Sequence, residues 1–87
     1  MNVHWHKWPE ERPPTETPLL MLFMDRWLRE DAQRQIGIGR FYSFPKDREG
    51  DVFWLASAWT TLQCIRETEP QRRIEIMAWD VIEEDAA

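Results

Sequence analysis

Residues 34–55 constrain the fold of this chain more than any other stretch, because two apolar segments there flank a charged turn. Along the first segment, apolar side chains alternate with other residues, interrupted once by an arginine. They are Ile36, Ile38, Tyr42 and Phe44. Side chains two residues apart on a strand point to the same face, so this alternation predicts a strand that lines a core. Residues 45–50 hold Pro, Gly and four charged side chains, and residues 52–55 are apolar again, so the whole unit predicts a β-hairpin.

The length of the chain predicts one domain with a modest core. We assign all 87 residues, 1–87, to that domain. A chain of this size buries a little over roughly 60% of its unfolded surface. The composition supplies a core with 43% hydrophobic residues, among them six Trp and four Phe. Because each buried aromatic side chain removes about 150–250 Å² from water, a handful of them can dominate such a core.

Two segments, 18–35 and 55–66, each fit either a helix or a strand. In the first, Thr17 could cap a helix that starts at Pro18, or Leu19–Met24 could form a short buried strand. In the second, amphipathic helical spacing competes with Thr and Ile residues that favour a strand. Periodicity alone does not separate the two structures. We therefore expect an α+β, mainly β fold: a small antiparallel sheet of three to five strands, with at most one or two helices at these positions.

The two ends of the chain differ from its middle. Residues 1–18 contain four of the six prolines, which excludes a regular helix and restricts any strand to a few residues. We expect an extended arm there, with its first two tryptophans pinned to the core. The last strand is predicted at Arg72–Ile82, where the apolar parity shifts by one; this indicates either a bulge near Ile76–Met77 or a strand that is buried on both faces early on. Residues 83–87 are predicted to form a short acidic tail.

The charge distribution favours a protein partner over a nucleic acid. Acidic and basic side chains balance in residues 1–66, so the net charge of −5 sits entirely in residues 67–87. Without a basic patch, the chain lacks the phosphate neutralisation that supplies most nucleic-acid affinity, so we expect no direct binding to nucleic acid. A basic or nucleic-acid-handling protein suits this surface better. The sequence shows no long apolar run and no signal-peptide pattern, which predicts no membrane association and a cytoplasmic location.

No pattern of side chains predicts catalysis or a cofactor. His4 and His6 would share one face of an extended arm, and Cys64 could join them only from far along the chain, so we expect no metal site. Carboxylates occur in adjacent pairs, but nothing marks one of them as buried for acid–base work. Gly37 and Gly39 lack the third glycine of a dinucleotide-binding fingerprint and indicate close packing in a strand instead. We therefore expect a protein that is not an enzyme and has no cofactor.

The surplus of tryptophan points to surface recognition. Six Trp exceed what a core of this size easily encloses, and Trp is enriched at binding hot spots. The partner-binding candidates in polar surroundings are Trp5, Trp8 and Trp27. The acidic residues expected to steer a basic partner are Asp80, Glu83, Glu84 and Asp85. The alternative is that most of the tryptophans belong to the core.

Four stretches of the chain, taken in order, form one further pattern. They are Trp5-His-Lys-Trp8-Pro-Glu-Glu-Arg-Pro13, Pro18-Leu-Leu-Met-Leu-Phe23, Ile36-Gly-Ile-Gly-Arg-Phe-Tyr42 and Ile74-Glu-Ile-Met-Ala-Trp79-Asp-Val-Ile82. This pattern resembles a family of small uncharacterised domains common in bacteriophages and prophages. The chain departs from that family at Asp80-Val-Ile-Glu-Glu, where the family has prolines. The resemblance implies a small antiparallel sheet in which Leu19–Met24 is a strand, and it transfers no catalytic residues.

The resemblance also implies a biological setting. Small acidic phage proteins often bind and block a host complex, including nucleic-acid-guided defence systems. This implication comes from the resemblance to the family and not from particular residues of the chain. We therefore expect a non-enzymatic acidic protein-binding module, a phage-encoded modulator or inhibitor of a host protein complex in the host cytoplasm. The alternative is a structural or assembly protein that acts as a homo-oligomer, such as a homodimer, with its surplus aromatic residues at a symmetric interface.

Overall fold

The computed structural model describes residues 2–57, 62–67 and 73–82, and within them the chain forms six strands and one short 3-10 turn. The strands are β1 (His6–Lys7), β2 (Leu19–Asp25), β3 (Arg34–Ser43), β4 (Asp51–Ala56), β5 (Gln63–Arg66) and β6 (Ile74–Val81). The 3-10 turn, Glu30–Ala32, lies between β2 and β3. The expected mainly β fold with one antiparallel sheet is confirmed, although the sheet has six strands rather than three to five.

All six strands belong to a single antiparallel sheet in the order β1-β6-β2-β3-β4-β5. Strands β2 to β5 pair with their neighbours in the chain, and the charged turn at 45–50 joins β3 to β4, as the sequence predicted. Strand β6 then returns across the sheet and inserts between β1 and β2. The sheet is therefore completed by segments from the two ends of the domain.

The helices that the sequence allowed do not form in the described residues. The range 18–35 holds β2, a turn and the 3-10 turn instead of a helix. Strand β2 has a hydrogen-bonded strand on each side, so sheet pairing outweighs the helical spacing of its side chains. In the range 55–66, β4 ends at Ala56 and Gln63–Arg66 is β5, while residues 58–61 lie outside the described ranges.

The core lies on one face of the sheet, which we call the inner face. Its buried side chains come from strands β2 to β6: Leu19, Met21, Phe23, Phe41, Phe53, Leu55, Ile65, Ile74, Ile76 and Trp79. The N-terminal arm crosses this face, because the Trp8 ring lies 5.4 Å from the Phe41 ring and 5.0 Å from the Phe53 ring. The indole N–H of Trp79 also donates a hydrogen bond of 2.8 Å to the carbonyl of Glu11. The arm therefore supplies a second layer over the inner face.

The side of strand β3 that faces the core is not the side that carries its isoleucines, as the sequence had predicted, but the opposite side. Gly37 and Gly39 face inward, opposite Met21 and Leu19 of β2. The expectation of a core-lining parity was wrong for Ile36, Ile38, Tyr42 and Phe44. The reason is steric: a Cβ atom on Gly39 would lie 1.6 Å from the carbonyl oxygen of Trp54. The two glycines thus allow β3 to approach β4 and the Met21 side chain more closely than any larger residue would.

Strand β6 contains the bulge, one of the two structures that the parity shift indicated. Opposite β2, Leu22 pairs with Ala78 and Phe23 pairs with Ile76, so Met77 is the extra residue. A bulge of this kind moves the side chains on its two sides onto the same face. Strand β6 can therefore contribute Ile76 and Trp79, on opposite sides of the bulge, to the same core.

An ion pair between Arg12 and Asp51 fastens the arm to the sheet. The guanidinium of Arg12 donates to the two carboxylate oxygens at 2.8 and 2.9 Å, and the hydroxyl of Ser43 lies 3.0 Å from the same carboxylate. The guanidinium carbon also lies 5.3 Å from the centroid of the Phe41 ring. The hydrogen bonds from Arg12 are the main cause of a lowered pKa of Asp51, which burial partly opposes.

We expect the substitution Arg12→Met to lower the free energy of unfolding by about 1 kcal/mol at neutral pH, since the pair is only partly screened by water. The pKa of Asp51 is lower in the folded protein than in the unfolded chain. The contribution of the pair is therefore present above the unfolded pKa of about 4 and is lost as the pH falls through the folded pKa. Urea unfolding should show a larger difference between variant and wild type at neutral pH than in acid.

The matched control for this prediction is Arg48→Met, in the exposed turn between β3 and β4. It removes the same charge without removing a hydrogen bond to Asp51. We expect its effect on unfolding to stay within about 0.5 kcal/mol at either pH. A deficit for Arg12→Met that is the same in acid and at neutral pH would contradict the assigned role of Asp51.

Candidate protein interface on the outer face of the sheet

The sheet face opposite the core is largely apolar and partly exposed in the described residues, and we call it the outer apolar face; Val52, opposite Tyr42, also lies on it but is only 1% exposed. Its side chains are Leu20, Leu22 and Met24 of β2, Ile36, Ile38 and Tyr42 of β3, and Trp54 and Ala56 of β4. Near its centre, Ile36 and Ile38 are 55% and 57% exposed, and Trp54 is 40% exposed. Single apolar residues are normal on a protein surface, but a contiguous exposed group is typical of an interaction site.

Cross-strand pairing makes this face continuous. Leu22 lies directly opposite Ile36, and Leu20 lies opposite Ile38. On its other side Ile38 lies opposite Ala56 of β4. Because the Cβ atoms of directly paired residues are about 4.5–5.5 Å apart, these side chains form adjacent rows without polar residues between them.

A groove with a volume of about 580 Å³ opens within the outer apolar face. Its walls include Pro18, Ile38, Tyr42, Trp54, Leu62 and Ile82. Arg40 is the charged residue that lines it, and its guanidinium donates a hydrogen bond of 3.2 Å to the carbonyl of Glu16.

Charges of opposite sign flank the outer apolar face. On β6, Glu75 and Asp80 lie opposite Met24 and Leu20, so their carboxylates belong to the outer side of the sheet. On β3, Arg34 lies opposite Met24 and Arg40 lies opposite Trp54 of β4. The outer positions of β6 carry only acidic charges, and those of β3 carry only basic charges. The face is therefore polarised across the strands.

The site residues chosen from the sequence do not form one cluster. Trp27, which is 77% exposed, lies in the turn after β2, whereas Trp5, which is 37% exposed, lies just before β1 at the edge of the sheet. Trp8 packs against the core, so it does not serve as an exposed anchor. Asp80 lies on β6 and accepts a hydrogen bond of 3.0 Å from the backbone N–H of His4. Three predicted steering residues lie outside the described ranges: Glu83, Glu84 and Asp85.

A buried ion pair supports the exposed Trp27. Asp25, which is fully buried at the end of β2, accepts two hydrogen bonds of 2.9 Å from the guanidinium of Arg73. These hydrogen bonds raise the pKa of Arg73, against the opposing effect of burial. The same guanidinium lies 4.3 Å from the centroid of the Trp27 ring, and the Trp27 backbone N–H donates to Asp25 at 3.1 Å. Trp27 is therefore held in a defined position despite its exposure.

The residues weighed as metal ligands are far apart in the fold. His4 and His6 lie at or beside β1 on one edge of the sheet, whereas Cys64 is on β5 at the opposite edge. The Nδ1 atom of His6 contacts Glu11, and its ring stacks on Trp79 with the centroids 4.5 Å apart. Among the described residues, no group of three or more His, Cys, Asp or Glu side chains is placed to hold a metal ion. No helix in these residues is long and apolar enough to cross a membrane.

Sequence reasoning missed the outer apolar face because it assigned the isoleucines of β3 to the core. One signal in the sequence does indicate it. Residues Leu19–Met24 are apolar at every position, and a strand with two apolar faces requires cover on both sides of its sheet. Among the described residues, the arm of residues 8–18 covers one of those sides, the inner face.

Comparison with known proteins finds no matching family model, and no curated protein or solved structure matches the chain.

Proposed function

We propose that this protein is a non-enzymatic protein-binding module that acts by burying its outer apolar face against another protein. The observation that carries the proposal is the exposure of Ile36 and Ile38, at 55% and 57%, in the middle of a continuous apolar surface. Fully burying an Ile side chain contributes about 1.5–3 kcal/mol. When a partner covers these two side chains, the complex gains the part of that energy that corresponds to their exposed fraction.

The biological setting that we propose is the one that the sequence resemblance implies, a phage-encoded modulator or inhibitor of a host protein complex. The net charge of −5 favours a basic or nucleic-acid-handling target, because opposite charge speeds association and selects the partner. Trp27 is the anchor that we propose for this target, since an exposed aromatic side chain on a fixed base is typical of a binding hot spot. The acidic residues proposed to steer it are Asp80, Glu83, Glu84 and Asp85.

A double substitution on the outer apolar face tests the function. We expect Ile36→Ser with Ile38→Ser to weaken association of the protein at least about tenfold, because two buried apolar contacts are lost. Association is measured in two ways: sedimentation of the purified protein, and crosslinked capture of a partner from a bacterial lysate. The free energy of unfolding of the dilute, monomeric protein should change little, since both side chains are already exposed.

The matched control is Val3→Ser, which removes an exposed β-branched side chain on the N-terminal arm, outside the strands that form the outer apolar face. It should leave both readouts as they are in the wild type. If the double variant associates and captures partners as well as the wild type does, the outer apolar face is not a binding surface and the proposed function fails.

A further inference from the structure

The flanking charges of the outer apolar face distinguish among the partners that could cover it. Glu75 and Asp80 lie on its β6 side, and Arg34 and Arg40 lie on its β3 side. A uniformly basic partner would be attracted by the two acidic residues and repelled by the two arginines. A uniformly acidic partner would be repelled by the acidic residues and attracted by the arginines. The best complement is a surface that carries both signs in the opposite order.

We infer that the occupant of the outer apolar face is a second copy of this chain, packed face to face about a two-fold axis; this inference rests on the function proposed above. The axis runs parallel to the strands, between β2 and β3. Rotation about it places β2 of each copy over β3 of the other, so that Leu20 and Leu22 meet Ile38 and Ile36 of the other copy. Such an interface uses the same patch twice and closes on itself as a dimer.

The same rotation brings opposite charges together. It carries β6 of one copy to the β3–β4 side of the other, at the same height along the strands. Glu75 of one copy then lies at the level of Arg34 of the other, one strand away, and Asp80 lies over the row of Ile38 and Ala56, two positions along β3 from Arg40. Packed sheets are about 10 Å apart, a distance that an arginine side chain and a carboxylate can bridge at the rim. The outer apolar face is therefore self-complementary in charge as well as in apolar surface.

Charge reversal tests the self-association directly. We expect the wild type to sediment as a dimer of twice the 10.6 kDa chain mass. Asp80→Arg alone and Arg40→Glu alone should each weaken the dimer at least about tenfold, because like charges then face each other across the interface. An equimolar mixture of the two variants should associate again, since a heterodimer pairs Arg with Glu on one side and Arg40 with Asp80 on the other.

Two further sets of variants keep the test decisive. Glu75→Arg and Arg34→Glu form a second pair, which serves if loss of the His4 contact makes Asp80→Arg unstable. Because Glu75 also pairs with Arg26 of its own chain at 2.9 Å, the unfolding of Glu75→Arg is measured beside its sedimentation. Asp47→Arg and Arg48→Glu, in the exposed turn between β3 and β4, are the charge-matched controls and should remain dimeric.

The outcomes separate this inference from the proposed function. A wild type that stays monomeric up to its solubility limit overturns the inference. If it then captures another protein in a manner that depends on Ile36 and Ile38, the proposed function survives with a different occupant. A dimer that is insensitive to both pairs of charge reversals overturns the face-to-face arrangement. A dimer that the single variants weaken and their mixture restores supports it.

Discussion

Gly39→Ala is expected to remove a large part of the stability of this 87-residue protein. The added Cβ atom would lie 1.6 Å from the carbonyl oxygen of Trp54 and 2.7 Å from its carbonyl carbon. Both are backbone atoms, so no rotamer change relieves the overlap and β3 must move away from β4. We expect a loss of about 3 kcal/mol or more, from a total of about 4–13 kcal/mol for a domain of this size. Urea unfolding followed by tryptophan fluorescence measures it.

The control for this prediction is Ile38→Ala, one position away on the same strand. Ile38 points to the other face and is 57% exposed, so at monomeric dilution its truncation should lower the free energy of unfolding by no more than about 1 kcal/mol. A Gly39→Ala variant that unfolds within about 1 kcal/mol of the wild type would show that β3 and β4 are not so closely packed.

Arg73→Met is the second substitution with a large expected effect. Its guanidinium donates two hydrogen bonds of 2.9 Å to Asp25, which is fully buried. Removing one partner of a buried ion pair typically costs about 3–5 kcal/mol, and here the buried carboxylate loses two charge-assisted hydrogen bonds. The substitution also removes the cation that stacks on Trp27. We expect a matching loss in urea unfolding, together with a change in the fluorescence of the folded state.

Arg26→Met provides the comparison for Arg73→Met, because it also removes an arginine from an ion pair. Arg26 pairs with Glu75 at 2.9 Å, but both side chains are nearly half exposed. An exposed pair contributes about 0.2–1 kcal/mol, so the two arginines should differ several-fold in their effect on unfolding. Similar losses for both would contradict the assignment of the Asp25–Arg73 pair as the buried one.

Local patterns in the sequence were sufficient for part of the fold. The charged turn at 45–50 and the apolar segments beside it predicted the β3–β4 hairpin, and the parity shift after Ile76 indicated the bulge in β6 as one of two possibilities. In both cases the signal lies within a few residues of the structure that it determines. The choice between helix and strand at 18–35 was different, because it depends on pairing with strands that are distant in the chain.

The orientation of β3 could not be predicted from hydrophobicity. Ile36 and Ile38 are more apolar than Gly37 and Gly39, so the usual assignment places them in the core. In the structure the glycines face the core instead, because the space between β3 and its neighbours admits no side chain at the glycine positions. That constraint arises from Met21 and Trp54, which are distant from the glycines in sequence.

The candidate site was predictable only in its separate parts. The polar surroundings of Trp27 correctly suggested exposure, but its support comes from Arg73, which reaches Asp25 across 48 positions of the chain. Trp8 has equally polar neighbours and is nevertheless packed against Phe41 and Phe53. Composition around a tryptophan therefore does not determine its exposure in a domain whose arm folds back over the sheet.

The place of β6 in the sheet has a consequence for synthesis in the cell. Strand β6 is translated after the other five strands, yet it pairs with β1 and β2 on its two sides. Until it arrives, β2 leaves the ribosome with one row of backbone N–H and C=O groups open to other chains. Strand β2 is also the most apolar of the six strands. An exposed apolar strand edge promotes aggregation of incomplete chains. The yield of soluble protein therefore depends on how soon residues 74–81 follow β2 out of the ribosome.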